Sequence, residues 1–267
     1  MKTALFTLVL LLLGAWRLSA DERKFTYSYE AKTLPQGSWE FEQWATLRAE
    51  REEGDFHVLL FREEIEYGIT DLLTTSIYLN WSWVENDGVP GLPDGYNVEF
   101  RGMSSEWKFK LSDPTADAVG VLLYGELALG SDELELEGKL VFSKAVGPLV
   151  FAYNFIYELE WEETERVEGT TLESHWDPSH AIQNTFGVSA ELSTSFALGL
   201  EAFHLAQFGS SLEDKEYSVF FAGPNIHVAT SLGWATLTFL RQFAPDGDLE
   251  LERREKYEVR LVVGVNF

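Results

Sequence analysis

The chain has 267 residues, a formal net charge of −24 and 45% hydrophobic residues. So strong a negative charge repels nucleic acid and excludes it as a partner, while the hydrophobic content excludes an acidic disordered chain. There is no cysteine, which excludes a disulfide framework and a lipoprotein type of leader. The length suits one large all-β domain.

Residues 1–20 have the pattern of a secretory signal peptide. Lys2 precedes an apolar run of about a dozen residues, and the small residues Ser19 and Ala20 come before acidic Asp21. A spanning helix needs about 20 apolar residues, so the run is too short for a membrane anchor. We expect cleavage after Ala20. Residues 21–36 then form an N-terminal segment before the folded domain, residues 37–267.

Alternation of apolar and polar residues continues from residue 37 to the end. In the clearest case, Leu149, Phe151 and Tyr153 point to one side while Asn154 and Glu158 point to the other. This period of two predicts strands with one apolar face. Twelve such segments lie near residues 37–48, 56–69, 72–84, 95–112, 118–130, 132–143, 148–162, 181–194, 196–207, 216–230, 233–244 and 255–267. The apolar phase switches near Phe100–Met103 and near Gly223–Pro224, which suggests bulges.

The connections between these segments alternate in length. Long polar links lie near 49–55, 85–94, 163–180, 208–215 and 245–254, with one short link at 130–131, and tight links lie near 70–71, 113–117, 144–147, 194–195 and 231–232. Transmembrane barrels sort their turns in this way, because tight turns face the periplasm and longer loops face outside. A secreted sandwich or a soluble lipocalin-like barrel is the alternative, but its outward face would be polar along whole strands.

Strand length and aromatic positions agree with a membrane barrel. The segments are long enough to cross a bilayer at a tilt. Aromatic residues near the strand ends resemble interfacial girdles; they are Trp39, Trp81, Trp83, Trp107, Tyr157 and Trp161. We therefore predict an all-β fold: a transmembrane antiparallel up-and-down β-barrel of about twelve strands, located in the cell outer membrane. Residues 21–36 would lie on its periplasmic side and could fold into the lumen as a plug.

The last strand, residues 259–267, alternates to a terminal Phe267. Every strand edge in a bilayer must be paired, so this strand should close the barrel against the first. A terminal phenylalanine after alternating aliphatic residues also resembles the sorting signal of bacterial outer-membrane barrels. That resemblance implies recognition by the barrel assembly machinery.

Three phrases resemble a broad group of bacterial outer-membrane barrels described as transporters of the phenol-degradation (MetA-pathway) type. They are L-P-Q-G-S-W-E-F-E, G-P-N-I-H and F-R-E-E-I-E-Y-G-I-T-D-L-L-T-T-S-I-Y-L-N, whose best part runs from Glu66 to Asp71. Gly68 and Asp71 would be turn residues. The resemblance implies the barrel fold and brings no catalytic motif.

If the aromatic faces meet lipid, the opposite faces line a lumen. The expected lumen residues are Arg62, Glu64, Glu66, Glu106, Lys108, Lys110, Glu133, Glu135, Glu137, Lys139, Glu158, Glu160, Lys256, Glu258 and Arg260. They could form a polar path for small solutes that prefers cations, or a network of ion pairs that fills a narrow barrel. A barrel of twelve strands is intermediate between a filled barrel and a wide channel, so the strand number does not distinguish these two alternatives.

Other chemistry has weaker support. The acidic external loops could bind divalent cations that bridge them to lipopolysaccharide, but we expect solvated surface charge rather than a defined calcium site. The expected partners of the barrel in the membrane are outer-membrane lipids and lipopolysaccharide. His175, Asp177 and His180 could bind zinc, but they fall in the longest predicted loop without supporting groups. We expect no metal and no cofactor. His204 could serve a lipid hydrolase or acyltransferase, but no serine lies two residues away from it, so we expect no enzyme.

Overall fold

The computed structural model describes residues 22–168, 171–244 and 247–267 as a closed barrel of antiparallel strands. The strands are β1 (Trp39–Ala49), β2 (Asp55–Thr70), β3 (Leu73–Asp87), β4 (Gly95–Ser112), β5 (Gly120–Leu129), β6 (Glu133–Val146), β7 (Leu149–Glu168), β8 (Thr171–Ser193), β9 (Phe196–Phe208), β10 (Lys215–Ala229), β11 (Trp234–Phe243) and β12 (Tyr257–Asn266). All twelve predicted strands are present, so the predicted fold class is confirmed. The predicted signal peptide lies outside the described residues.

The strands carry their apolar side chains on the outside of the barrel. Ile77 and Trp107 are 55% and 50% exposed, whereas the neighbouring Ser76 and Glu106 are buried. The same alternation recurs around the ring, because successive side chains of a strand point to opposite faces. An apolar exterior around a polar interior is the arrangement of a barrel surrounded by lipid. No helix in the described ranges is long and apolar enough to cross a membrane.

The connections are sorted onto the two ends of the barrel. One end, here called the turn end, carries the connections 71–72, 113–119, 147–148, 194–195 and 230–233. In one of these turns the N–H groups of Ala116 and Thr115 donate to the Asp113 carboxylate and hold its pKa below the usual range. The opposite end, the loop end, carries the connections 50–54, 88–94, 130–132, 209–214 and 244–256.

Two details differ from the sequence predictions. The long loop predicted at 163–180 is wrong, because β7 and β8 continue as a paired hairpin as far as Glu168 and Thr171. A bulge does occur where the phase switches in β4, since Asn80 pairs with Gly102 and the next residue, Trp81, pairs with Phe100. No register shift occurs at Gly223–Pro224.

The ring closes through the last strand, as the alternation predicts. β12 pairs with β1 from Asn266 opposite Glu40 to Tyr257 opposite Ala49. The Phe267 N–H donates to the Trp39 carbonyl oxygen at 3.0 Å, so pairing continues to the final residue. The Phe267 side chain is exposed. Its recognition by the assembly machinery stays a prediction.

Candidate functional site: the N-terminal segment and the lumenal cavity

The N-terminal segment, residues 22–36, lies inside the turn-end half of the barrel. Residues 23–31 are all buried, although none of them belongs to a strand. Irregular backbone inside a protein must find hydrogen-bond partners for its N–H and C=O groups. The lumenal side chains of the barrel supply these partners.

Three lumenal side chains and one turn residue bind the middle and base of the segment. Asn154 makes a two-way contact: its Oδ1 accepts from the Tyr29 N–H at 2.6 Å and its Nδ2 donates to the Tyr29 carbonyl at 3.0 Å. Ser143 Oγ accepts from the Ala31 N–H at 2.8 Å. Two further acceptors, Thr74 Oγ1 and Asp71 Oδ1, each lie 2.9 Å from the backbone nitrogen that donates to them, in Leu34 and Gln36 respectively. Each strand contact therefore fixes one backbone position of the segment.

Glu201 on β9 makes the largest set of contacts with the segment. Its carboxylate accepts the N–H groups of Thr26, Tyr27 and Ser28 at 3.0, 3.0 and 2.9 Å. The Thr238 hydroxyl on β11 donates to the same carboxylate at 2.6 Å. Successive backbone N–H groups that converge on one anion form a concave binding site for negative charge. Glu201 therefore anchors the part of the segment that reaches deepest into the lumen.

Side chains of the segment fill the turn-end half of the lumen. The Tyr27 ring stacks on Phe203 at 5.3 Å between centroids. The Arg23 guanidinium lies 4.0 Å from the centroid of Tyr29 and 4.4 Å from that of Trp44. Such cation–π contacts stabilise a charge removed from water.

Two glycines leave space for the segment. A Cβ on Gly187 would lie 2.7 Å from the Phe25 ring, and a Cβ on Gly68 would lie 2.1 Å from the Pro35 carbonyl oxygen. Gly68 lies within β2, so its assignment as a turn residue is wrong; the sequence shows glycine there because the segment crosses β2 closely. Asp71 does lie in a turn.

Three of the predicted lumen carboxylates, Glu64, Glu66 and Glu106, form a buried cluster at the turn end. The Lys108 ammonium pairs with Glu66 and with Glu106, and the Tyr78 hydroxyl donates to Glu106. A cation of the chain itself occupies this cluster. These residues therefore belong to the filled, turn-end half of the barrel. Lys110 lies on the same lumenal face, opposite Leu122.

The loop-end half of the lumen contains a cavity of about 640 Å³. Tyr27 and Tyr29 of the segment lie at its base, and strand residues form its walls. Predicted lumen residues that line it are Arg62, Glu133, Glu135, Glu137, Lys139, Glu158, Glu160, Glu258 and Arg260. The segment therefore separates the cavity from the turn end.

One predicted lumen residue lies elsewhere. Lys256 precedes β12 at the loop end, where its ammonium pairs with Glu50 at 2.9 Å, so its assignment to the lumen is wrong. The reason is that β12 begins at Tyr257, two residues after the start of the predicted segment 255–267. Five charged residues of the cavity wall were not among the predicted lumen residues, namely Arg48, Glu99, Arg101, Glu126 and Arg254. Glu126 lies directly opposite Glu137 on the neighbouring strand, and pairing the predicted strands would have found it.

The histidines of the predicted long loop lie on β8. Asp177 pairs with Arg166, and His180 Nδ1 lies 2.8 Å from the Tyr157 hydroxyl. Because alternate residues of a strand face opposite sides, His180 faces away from His175 and Asp177. The three residues therefore do not form one set of metal ligands.

His204 has a partner that sequence spacing did not reveal. Its Nε2 lies 2.7 Å from the Ser218 Oγ on β10, and Asn184 on β8 is directly opposite it in the register. The Asn184 Oδ1 accepts from the Tyr153 hydroxyl at 2.8 Å. All four side chains are on the outward face, and His204 and Ser218 lie in the loop-end halves of β9 and β10. No serine lies two residues from His204 in the sequence, and the serine that contacts it comes from the adjacent strand, β10.

The comparisons with known proteins agree with this architecture. A structure of the NanC porin shares 12% identity with the chain at a TM-score of 0.53, over 85% of this chain and 98% of that one. The translocator domain of the autotransporter NalP from Neisseria meningitidis shares 10% identity at a TM-score of 0.51, over 86% of this chain and 87% of that one. At such identities the likeness shows the fold alone, which is that of an outer-membrane β-barrel.

The chain belongs to the family of unknown function DUF6662, whose model matches residues 17–267. No curated protein sequence matches it. These findings support the sequence resemblance as far as outer-membrane barrels. They give no support for the phenol-degradation transporters.

Glu201→Ala tests how the segment is held. The substitution removes the acceptor of three backbone N–H groups, so we expect trypsin to cleave at Arg23, Lys24 and Lys32 at least about tenfold faster in the refolded barrel. Glu213→Ala, at an exposed loop residue, serves as the control. Equal cleavage rates in the two variants, with both barrels folded, would show that Glu201 does not anchor the segment.

Proposed function

We propose that the protein is a channel for small polar solutes in the outer membrane, closed on its periplasmic side by the N-terminal segment. The cavity carries this proposal, because a barrel with only a structural role has no need of a large charged space at its loop end. Solutes enter the cavity from the cell surface. They cross when the segment withdraws.

The orientation follows from the connections. Barrels of this class have short periplasmic turns and longer external loops, and an even strand number places both termini on the periplasmic side. The turn end, with Trp39 and Phe267, is then periplasmic. The cavity faces outside, towards lipopolysaccharide.

The segment is held in a way that permits its withdrawal. Its backbone is bound mainly by individual side-chain hydrogen bonds, such as those of Glu201 and Asn154. Each such bond contributes only about 0.5–1.5 kcal/mol net, or about 1.5–3 kcal/mol where one partner is charged. The alternative function is a structural barrel with a filled lumen. In that case the segment stays in the lumen permanently.

Deletion of residues 22–36 separates these two functions. We expect the refolded wild-type protein to conduct little in planar bilayers, and the deletion variant to conduct at least about tenfold more, because the turn-end half loses its filling. Glu201→Ala should show intermediate conductance with brief openings, and Glu213→Ala should match the wild type. A correctly folded deletion variant without conductance would favour the structural barrel.

The charge of the cavity predicts which ions pass. Eight carboxylates and six cationic side chains line it, and the low-dielectric wall concentrates their field. We expect a cation preference in a salt gradient that weakens at 1 M salt, where the Debye length is about 3 Å. Replacing Glu135 and Glu137 by Gln should reduce it, whereas Gln at the exposed Glu52 and Glu213 should change it little. An anion-selective reversal potential would contradict the charge argument.

A second candidate function, hydrolysis of lipid esters, is favoured by the contact between His204 and Ser218. In this reaction Ser218 Oγ bonds to the ester carbonyl carbon while His204 Nε2 takes its proton. The ester C–O bond breaks, and His204 returns the proton to the leaving alcohol. Water then hydrolyses the acyl-serine. The pair faces the region where the lipid headgroups of the outer leaflet lie.

Mixed micelles of phospholipid and detergent provide the assay. We expect fatty acid release that falls at least about 100-fold in Ser218→Ala and in His204→Gln, together with fluorophosphonate labelling at Ser218. Ser105→Ala, a serine that is not on the lumenal face of β4, is the matched control. Activity that persists in Ser218→Ala, or a wild-type protein that is neither active nor labelled, would leave the pair as two polar groups that satisfy each other in lipid.

A further inference from the structure

The charged side chains of the cavity are not evenly mixed. Three arginines surround one carboxylate on the side formed by β1, β12 and the loop before β12. The distances from Glu258 are 3.2 Å to Arg48, 3.3 Å to Arg254 and 4.0 Å to Arg260. Two positive charges remain after one is balanced by Glu258. In addition, Nε of Arg254 is buried and has no hydrogen-bond partner among the described residues. This wall has capacity for an anionic group.

The wall formed by β6 and β7 has the opposite imbalance. Oxygens of Glu135, Glu137 and Glu158 lie within 4.8 Å of one another. Lys139 pairs with Glu137 at 2.8 Å. Within the described structure no salt bridge reaches Glu135, Glu158 or Glu160. Carboxylates this close repel one another, and a cationic group between them relieves the repulsion.

The two walls face each other across the cavity. In a closed ring of twelve strands in sequence order, β6 is six places from β12 and β7 is six places from β1. Strands six places apart are diametrically opposed. The unbalanced positive and negative charges therefore set up a field across the cavity rather than along the barrel axis.

The wall between them is partly apolar. Phe203, Leu205 and Tyr217, on β9 and β10, line the cavity together with Tyr27 of the segment. Aromatic and aliphatic surfaces accommodate the uncharged body of a ligand. The cavity volume, about 640 Å³, lies within the usual range of about 300–1,000 Å³ for small-molecule sites.

We propose that the cavity binds small zwitterions, with the anionic group at the Arg48–Arg254–Arg260 wall and the ammonium group at the Glu135–Glu158–Glu160 wall. The inference rests on the proposed function for its role, since it names the class of solute that the channel admits. The binding site itself does not require conduction. A solute with a single charge satisfies one wall and leaves the other unbalanced.

Binding is measured on the refolded full chain in detergent micelles by saturation-transfer NMR. The probes are 4-aminobutyrate, 6-aminohexanoate and 8-aminooctanoate, which separate their charges by increasing distances, together with hexanoate and hexylammonium. We expect at least one zwitterion to bind about tenfold more tightly than either six-carbon ion. Equal affinities for the zwitterions and a singly charged analogue, or no zwitterion binding, would overturn the proposal.

Variants assign the two ends of the ligand. Arg254→Gln should weaken the binding of the zwitterion and of hexanoate but not that of hexylammonium. Glu160→Gln should weaken the binding of the zwitterion and of hexylammonium but not that of hexanoate. Arg253→Gln and Glu165→Gln, at exposed residues, are the controls. A variant that weakens all probes equally would contradict the orientation.

Conductance separates this inference from the proposed function. If the full chain binds zwitterions but the deletion variant never conducts, the channel proposal is contradicted and the binding site stands. If the deletion variant conducts but the full chain shows no preference for zwitterions in the binding assay, the binding site is contradicted and the channel proposal stands.

Discussion

Backbone N–H and C=O groups that cannot reach water must be paired within the protein, and the architecture of this barrel follows from that requirement. The strands satisfy it along the ring, including the closure between β1 and β12. The N-terminal segment does not pair with a strand, and its backbone groups form hydrogen bonds with lumenal side chains instead. Glu201 and Asn154 provide what a neighbouring strand would otherwise provide. Polar residues on the inner face near the turn end therefore have a structural role, which is to bind the backbone of the segment.

The two halves of the lumen use their charges differently. Near the turn end, Lys108 pairs with Glu66 and Glu106, and Arg23 is enclosed by rings and by Glu42, so cations of the chain lie against these three carboxylates. Near the loop end, local pairs such as Arg62 with Glu126 and Lys139 with Glu137 are also present, but excess charge of opposite sign remains on the two facing walls. Charges paired within the chain suit a rigid filling, whereas excess charge is available to a solute. This contrast is the basis of both the channel and the zwitterion proposals.

The sequence predicts the barrel well because alternation, turn sorting and strand length are local patterns. It predicts most of the inward face for the same reason, and the assignment of Lys256 is wrong only because β12 begins two residues after the start of the predicted segment. Contacts between distant positions are not local. The pairing of His204 with Ser218 depends on the register between β9 and β10. The filling of the lumen by residues 22–36 depends on hydrogen bonds to residues more than 100 positions away, such as Asn154 and Glu201, which no periodicity encodes.

Both ends of the N-terminal segment lie at the same rim of the barrel. Gln36 contacts Asp71 in a turn there, and Glu22 lies 3.6 Å from His227, near the end of β10 at the same rim. The segment is therefore a loop inserted through one opening, not a thread that passes through the pore. A force applied to its N-terminus from that side would peel its hydrogen bonds one after another, beginning near Lys24. Bonds broken in succession resist less than bonds sheared together, so this geometry lets the segment leave one bond at a time.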